Sequence, residues 1–315
     1  MTKMVVLGSF VQACCWKVTQ LPTAGETLTA SALSIEAGGK GLNVAIGARR
    51  LGAEVDVLLG IGQDGAGDNL LQLLQREGIS RDYVWRLAPQ SGYGAGLIAD
   101  DGQNAIAVYP GPNLLLTADH VAHAASAIAD SGLLYGQLET SLAAVNAAFA
   151  TARRAGVRTV LNPSPWQPLP PDLLANTDLL MVNEVEAAEL LALERPLSGY
   201  SLAECATTLH ALLDSFWSRW AGELLVVTLG SLGSLACERR GVIHAVPAFP
   251  IKAVDSVGAG DAFASGFCIA LCRGAPLDQA LRMGNACGAL VTSHLGVLDA
   301  LPEQAAIESF LTSVV

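Results

Sequence analysis

The chain has 315 residues, 51% of them hydrophobic and 15% charged, with a formal net charge of −11. That apolar content excludes a disordered chain, and the length suits one large α/β domain or two modest ones. Only 18 Lys and Arg are spread along it, which argues against a nucleic-acid partner, and no uncharged apolar run of about 18 residues marks a membrane span.

In chain order, the apolar run Met4–Leu7 reads as a strand that ends at Gly8, and Gly41–Leu51 as a helix. Val55–Leu59 reads as a buried strand and Ala66–Glu77 as a helix. The same alternation returns in strand Leu133–Tyr135, helix Leu142–Ala155, strand Thr159–Leu161, strand Leu179–Val182 and helix Glu184–Leu191. It runs on through helix Leu202–Trp217, strand Leu224–Thr228, helix Asp261–Cys272 and helix Leu277–Ser293. Repeated βα units with short connections predict an α/β fold with a doubly wound, mostly parallel sheet flanked by helices.

Two stretches break the pattern. Ala13–Ile35 holds strand-like runs split by LPTAGET, and Tyr83–Tyr109 holds short alternating segments around the turn signal ADDGQN. They predict a small β lid over one edge of the sheet, at the strand C-termini where doubly wound folds bind ligands. The seven cysteines are odd in number and include no C-x-x-C pair, so reduced thiols and a cytoplasmic location are expected. Cys268 and Cys272 lie in an apolar run and read as core thiols, and the N-terminus shows no signal-peptide h-region.

Four segments can carry chemistry. In Asp255-Ser-Val-Gly-Ala-Gly-Asp261, the small residues Gly258, Ala259 and Gly260 lead straight into an apolar helix. Backbone N–H groups can converge there on an anion with the helix dipole behind them, and Asp261 beside that hole can deprotonate an attacking hydroxyl. The same residues also read as a Gly-rich turn with an acid near a helix N-cap. Glu36-Ala-Gly-Gly-Lys-Gly-Leu-Asn43 lets a small polar ligand approach Gly39 while Lys40 and Asn43 offer directed hydrogen bonds; it is not a Walker A loop. Asn183-Glu-Val-Glu186 after a buried strand can orient Mg²⁺ and phosphates, or can be an N-cap with first-turn acids. Thr228-Leu-Gly-Ser-Leu-Gly233 can contact phosphates or be an ordinary turn. Gly60-Ile-Gly-Gln-Asp-Gly65 matches the dinucleotide fingerprint, which keeps an NAD(P)-dependent oxidoreductase as a rival, but it does not lie in the first βα turn.

In this order the segments resemble the ribokinase-like, phosphofructokinase-B type carbohydrate kinases. The resemblance rests on VVLGS, PTAGET, GGKGLN, Gln137-Leu-Glu139, Leu161-Asn-Pro163, NEVE, TLGSLG and DSVGAGDAFASG, and spans residues 4 to about 302. It implies one kinase domain over 1–315 with lid strands from about 12–36 and 92–110, ATP with Mg²⁺ as donor, and transfer to a primary hydroxyl of a small sugar-like molecule. It implies Asp261 as base and Gly258, Ala259 and Gly260 as anion hole. Gly39, Lys40, Asn43, Glu139 and Asp261 correspond to acceptor positions, Asn183, Glu186, Thr228, Gly230 and Asn285 to nucleotide positions. Glu186 matches the metal–phosphate motif and Asp255 a position that helps bind potassium; a homodimer through the lids follows from the same likeness. A nucleoside kinase and a sugar-binding regulator without turnover remain alternatives.

Two departures stand out. Where ribokinases carry Asn-Ala-Asp after the first strand, this chain has Val11-Gln12-Ala13, so the edge that grips sugar hydroxyls is expected to be apolar and ribose a poor acceptor. The serine associated with the potassium site is Ala300 here. The lid's outer face, expected to show Cys14, Cys15, Trp16 and Val18, is read as the dimer contact.

Overall fold

Apolar runs bounded by Gly, Pro and Asn become strands, and apolar stripes at helical spacing become helices that cover them. The computed structural model describes every residue except Met1, Gly102, Glu194 and Val315. The strands are β1 (Lys3–Leu7), β2 (Val11–Val18), β3 (Ala32–Gly38), β4 (Glu54–Gly62), β5 (Val84–Ala88), β6 (Gly92–Ala99), β7 (Asn104–Tyr109), β8 (Leu133–Gln137), β9 (Arg158–Asn162), β10 (Leu179–Asn183), β11 (Leu224–Thr228), β12 (Gly233–Glu238) and β13 (Ile243–Pro247). The helices are α1 (Lys40–Arg50), α2 (Gly65–Glu77), α3 (Ala118–His123), α4 (Ala125–Ala129), α5 (Leu142–Ala155), α6 (Pro171–Ala175), α7 (Glu184–Leu191), α8 (Leu202–Arg219), α9 (Ala259–Cys272), α10 (Leu277–Thr292) and α11 (Gln304–Ser313).

The nine-stranded main sheet has the order β13-β12-β11-β10-β9-β8-β1-β4-β5. It is parallel from β11 to β5, with β12 and β13 added antiparallel at one edge. Both faces are buried, as a parallel sheet requires. On β1, Met4 and Val6 join the layer of α1, α9 and α10 with Ile46, Phe267 and Leu281, while Val5 and Leu7 join that of α5 and α8 with Phe149 and Leu209. Chain order reverses about β1, which lies between β4 and β8, and the crevice above that reversal is where doubly wound folds place ligands.

A separate four-stranded sheet, β3-β2-β6-β7, forms the lid. One sequence expectation is corrected here. The stretch 83–109 does not go wholly to the lid, because β5 pairs in parallel with β4 and closes the edge of the main sheet. Only β6 and β7 of that stretch join the lid, flanking the ADDGQN turn, whose Gly102 lies outside the described residues. The face assignment also changes. Strand alternation puts Cys14 and Trp16 on one side with Ile35 and Leu33, and Cys15 on the other with Val11 and Ala13, while Val18 is buried. Among the described residues no helix is long and apolar enough to cross a membrane.

Candidate active site

The functional side chains stand where parallel strands end. β1 runs into Gly8 and Ser9, and α1 starts directly above, so Gly41 meets Gly8 backbone to backbone: a Cβ on Gly41 would lie 2.3 Å from the Gly8 Cα. That close packing fixes the first turn of α1, which carries Lys40 and Asn43, over the end of the central strand. Just past β8, Glu139 accepts hydrogen bonds from the Ser9 hydroxyl at 2.6 Å and the Lys40 backbone N–H at 3.1 Å. Gln137 donates to the same Ser9 hydroxyl at 2.9 Å, so Glu139 is fixed from two neighbouring strands at the topological switch.

Asp261 enters from α9. The N-cap of that helix, Gly258, has φ 77° and no capping side chain, and its missing Cβ is what lets Val297 close on it, since a Cβ would lie 2.3 Å from Val297 Cγ1. The Ala259 N–H bonds back to Ser256, while a Cβ on Gly260 would meet open space, so the start of α9 presents backbone to an open volume. Asp261, one residue further on, is buried and accepts a hydrogen bond from Asn43 Nδ2 at 2.7 Å. Burial pushes its carboxyl up to about 6; the Lys40 charge and the Asn43 hydrogen bond pull down, and Glu139 and Glu186 push up. Lys40 itself loses hydration by burial, which lowers its pKa, yet the carboxylates of Asp261, Glu139 and Glu186 outweigh this and hold it above its ordinary value. Lys40, Asn43, Glu139 and Asp261 are thus one electrostatic unit, and Glu186 reaches it.

Two buried polar atoms in this unit lack a hydrogen-bond partner, Asn43 Oδ1 and the Tyr135 hydroxyl. Such groups cost roughly 1–3 kcal/mol when left unmade, so they mark a place where a polar ligand or water completes the set. Burial, then the nearby Asp261 charge, pushes the Tyr135 phenol well above its usual value.

On the other side of the α9 N-terminus a cavity of about 430 Å³ opens. Thr228, Gly230, Ala259, Gly260 and Asn285 line it, with Phe249, Ile251, Phe263, Ala289 and Thr292 as apolar walls. Asn285 is also a builder of the wall: its side-chain amide donates to the Val246 and Pro247 carbonyls at 3.1 and 3.2 Å and ties β13 to α10. Gly258 does not line this cavity; it caps the helix that does. An apolar slot of this size with a helix N-terminus at one end suits a flat ring joined to an anionic tail.

Asn183 and Glu186 form a capping box on α7, with Asn183 Oδ1 accepting from the Glu186 N–H at 2.8 Å and the Glu186 carboxylate accepting from the Asn183 N–H at 3.0 Å. The cap reading of NEVE therefore holds locally, and Glu186 is in addition buried toward Asp261. Asp255 lies apart, its Oδ1 accepting from the Val257 N–H at 2.9 Å. The structure does not bring Glu186 and Asp255 into one metal cluster: among the described residues no three His, Cys, Asp or Glu side chains group as ligands. The Gly60–Gly65 turn is filled by protein, since a Cβ on Gly62 would lie 2.2 Å from the Ser91 N, and Asp64 caps α2 and binds Ser91. No pyrophosphate fits against that glycine.

Sequence reasoning did not single out Ser9, Tyr135, Phe249 or Phe263. Ser9 was legible as the residue after a strand-ending glycine; the aromatic walls were not, because an apolar residue in a slot has the same pattern as one in a core.

The profile of the pfkB family carbohydrate kinases matches residues 1–304. A ribokinase of Haemophilus influenzae is 32% identical over 309 residues, covering 98% of each chain. A deoxyribokinase of Salmonella typhi is 29% identical, covering 98% of this chain and 97% of that one. In fold, the chain superposes on the ribokinase of Arabidopsis thaliana, solved with ribose and ATP, with a TM-score of 0.88 at 24% identity and 99% coverage of both.

Proposed function

The chain belongs to the pfkB family of carbohydrate kinases, and we propose that it transfers the γ-phosphoryl group of ATP to a hydroxymethyl group of a small sugar-like acceptor, with Asp261 as general base. The observation that carries the reading is Asp261 itself. Its carboxyl is buried, lifted to about 6 and bonded to Asn43, at a helix end that borders both the polar cluster and the apolar cavity. A base with that affinity is ionised at neutral pH and can still take a proton from an alcohol as the new bond forms.

The acceptor lies against Lys40, Asn43 and Glu139 beside Gly39, and the nucleotide against Thr228, Gly230 and Asn285. The acceptor oxygen attacks the γ-phosphorus as Asp261 takes its proton. The bond from the γ-phosphorus to the bridging oxygen breaks, and ADP leaves with that electron pair. The open backbone at Gly260, on a helix N-terminus, neutralises charge that builds on the transferring oxygens. Mg²⁺ would supply charge neutralisation on the phosphates when bound, and Glu186, near Asp261 and Asn183, is the carboxylate of this chain that would help hold it. Potassium is a second cation proposal, with Asp255 as its carboxylate. The names of the relatives make ribose and deoxyribose the first acceptors to try.

Two further parts of the proposal concern assembly and location. The lid face bearing Leu33 at 52% exposure, Ile35 at 59% and Tyr109 at 53% is an apolar surface of the kind that marks an interface, and a second copy of the chain is its partner. Seven free cysteines suit a reducing, cytoplasmic compartment. The test of the activity is ADP release by purified protein over a panel of pentoses, hexoses, deoxysugars and nucleosides. No acceptor-dependent release would refute it, and tight NAD binding without ATP binding would replace it with the oxidoreductase reading.

A further inference from the structure

The face of the lid that carries Val11 and Ala13 holds one carboxylate in the two rows nearest the main sheet. In the row nearest the main sheet, Val11 lies opposite Gly38 on one side and Gly92 on the other. In the next row Ala13 lies between Glu36 and Gly94, with Val108 beyond. Six of these seven residues have only hydrogen, methyl or isopropyl side chains, so Glu36 is the only hydrogen-bonding side chain among them.

Its direction is fixed by two independent contacts. The Cβ position of Gly296 lies 3.2 and 3.3 Å from the two Glu36 carboxylate oxygens, and Gly296 precedes the Val297 that closes on Gly258 at the start of α9. Cys15, one row further along the same face, has its thiol pushed up by burial and then by the charges of Glu36 and Asp255. This face therefore looks toward the segment that delivers Asp261. Glu36 is exposed, and among the described residues its carboxylate takes part in no ion pair or hydrogen bond; only its backbone carbonyl is used, by Gln12 at 2.8 Å.

We propose that Glu36 is the lid-side group that binds the acceptor, accepting hydrogen bonds from its hydroxyls while Lys40, Asn43 and Glu139 hold the opposite side. The inference rests on the kinase reading and deepens it. It corrects the expectation of a wholly apolar edge drawn from Val11 and Ala13: the cross-strand neighbour of Ala13, about 5 Å away, supplies the missing acid. It also names the acceptor class. With Glu139, Glu186 and Asp261 around a single cation, Lys40, and the Glu36 carboxylate on the lid, the site suits a neutral polyhydroxylated molecule and repels sugar acids and sugar phosphates.

The experiment measures ADP release with ribose, 2-deoxyribose, fructose, inosine, gluconate and ribose 5-phosphate, first in the unaltered protein and then in Glu36→Gln and Glu36→Asp. For the best neutral acceptor, Glu36→Gln should raise KM about 10- to 100-fold, the usual worth of a hydrogen bond to a charged group, with kcat and the KM for ATP within about twofold. Glu36→Asp should keep part of the affinity. Glu36 is exposed, and an unchanged melting temperature checks that both variants fold. An acceptor KM in Glu36→Gln within twofold of the unaltered value overturns the proposal, and so does a loss confined to kcat, the mark of a closing contact. Preference for gluconate or ribose 5-phosphate overturns it as well. If the unaltered protein releases no ADP with any of the six, the kinase reading fails first.

Discussion

Replacing Asp261 by Asn should separate activity from stability, with opposite signs. The carboxyl is lifted from its ordinary 3.8 to about 6, chiefly by burial, so the folded protein disfavours the ionised form. At about 1.4 kcal/mol per pH unit this amounts to about 3 kcal/mol, as an order of magnitude. The sign follows from linkage. A group with a raised folded pKa contributes stability that is complete below the unfolded value near 3.8 and lost as pH rises through about 6. At pH 8 the protein therefore carries the full cost of a buried charge, and Asp261→Asn, which keeps an oxygen for the Asn43 amide, removes it. The variant should melt higher than the unaltered protein at pH 8, with the gap shrinking toward pH 4. Its kcat should fall roughly 10²–10⁴-fold with the KM for ATP little changed, and the acidic limb of the pH–rate profile, centred near 6 in the unaltered enzyme, should vanish. Calorimetry at two pH values and steady-state ADP release suffice. Near-normal turnover in the folded variant, or lower stability at pH 8 than at pH 4 relative to the unaltered protein, refutes the reasoning.

Other perturbations test the parts around it. Lys40→Met removes the cation that pulls the Asp261 carboxyl down, so the acidic limb of kcat should move to higher pH; a limb that stays in place breaks the electrostatic link. Gly258→Ala puts a Cβ at a φ of 77° and 2.3 Å from Val297, and should cost about 1–3 kcal/mol of stability with at least a tenfold drop in kcat; unchanged melting and rate would show that the turn adapts. Ile35→Glu on the apolar lid face should convert a dimer at micromolar concentration to a monomer in sedimentation velocity; an unaltered protein that already sediments as a monomer refutes the interface.

Where the sequence was legible, local chemistry and tertiary demand agreed. Helix α5 is read residue for residue because Ser141 caps its start and Gly156, at φ 71°, ends it. Helix α7 follows in the same way from Asn183 and its capping box with Glu186. The start of α9 is two residues earlier than expected, because Gly258 takes the left-handed cap and leaves Ala259 and Gly260 helical. What escaped the reading is the part decided by partners distant in sequence. Strands β12 and β13 are short and earn their place by antiparallel pairing with β11. Strand β5 has the alternating look of a lid strand but finds an open edge at β4. Glu36 could be seen beside GGKG, yet its meaning depends on the register that sets it opposite Ala13 across a long connection. No local pattern encodes that register.

The two halves of the site are built from different parts of the chain, and that separates what each can change. The cavity and the helix end that receives the phosphates come from residues 228–292, carried on the edge strands and on α9 and α10. The lid wall comes from β2, β3, β6 and β7, which hang from the other half of the sheet. On the proposed reading, a substitution at Val11, Ala13 or Glu36 would alter which hydroxyls find a partner, while Gly258, Thr228 and Asn285 are carried on other elements. Asp261 stands at the seam, and its affinity for a proton is set from both sides, by Lys40 and Asn43 from α1 and by Glu139 and Glu186 from the ends of β8 and β10. A change of acceptor that alters charge near Lys40 or Glu139 therefore retunes the base, whereas one made at the lid does not. That asymmetry would let an acid grip stand on one lid strand or on its neighbour while the chemistry of transfer stays where it is.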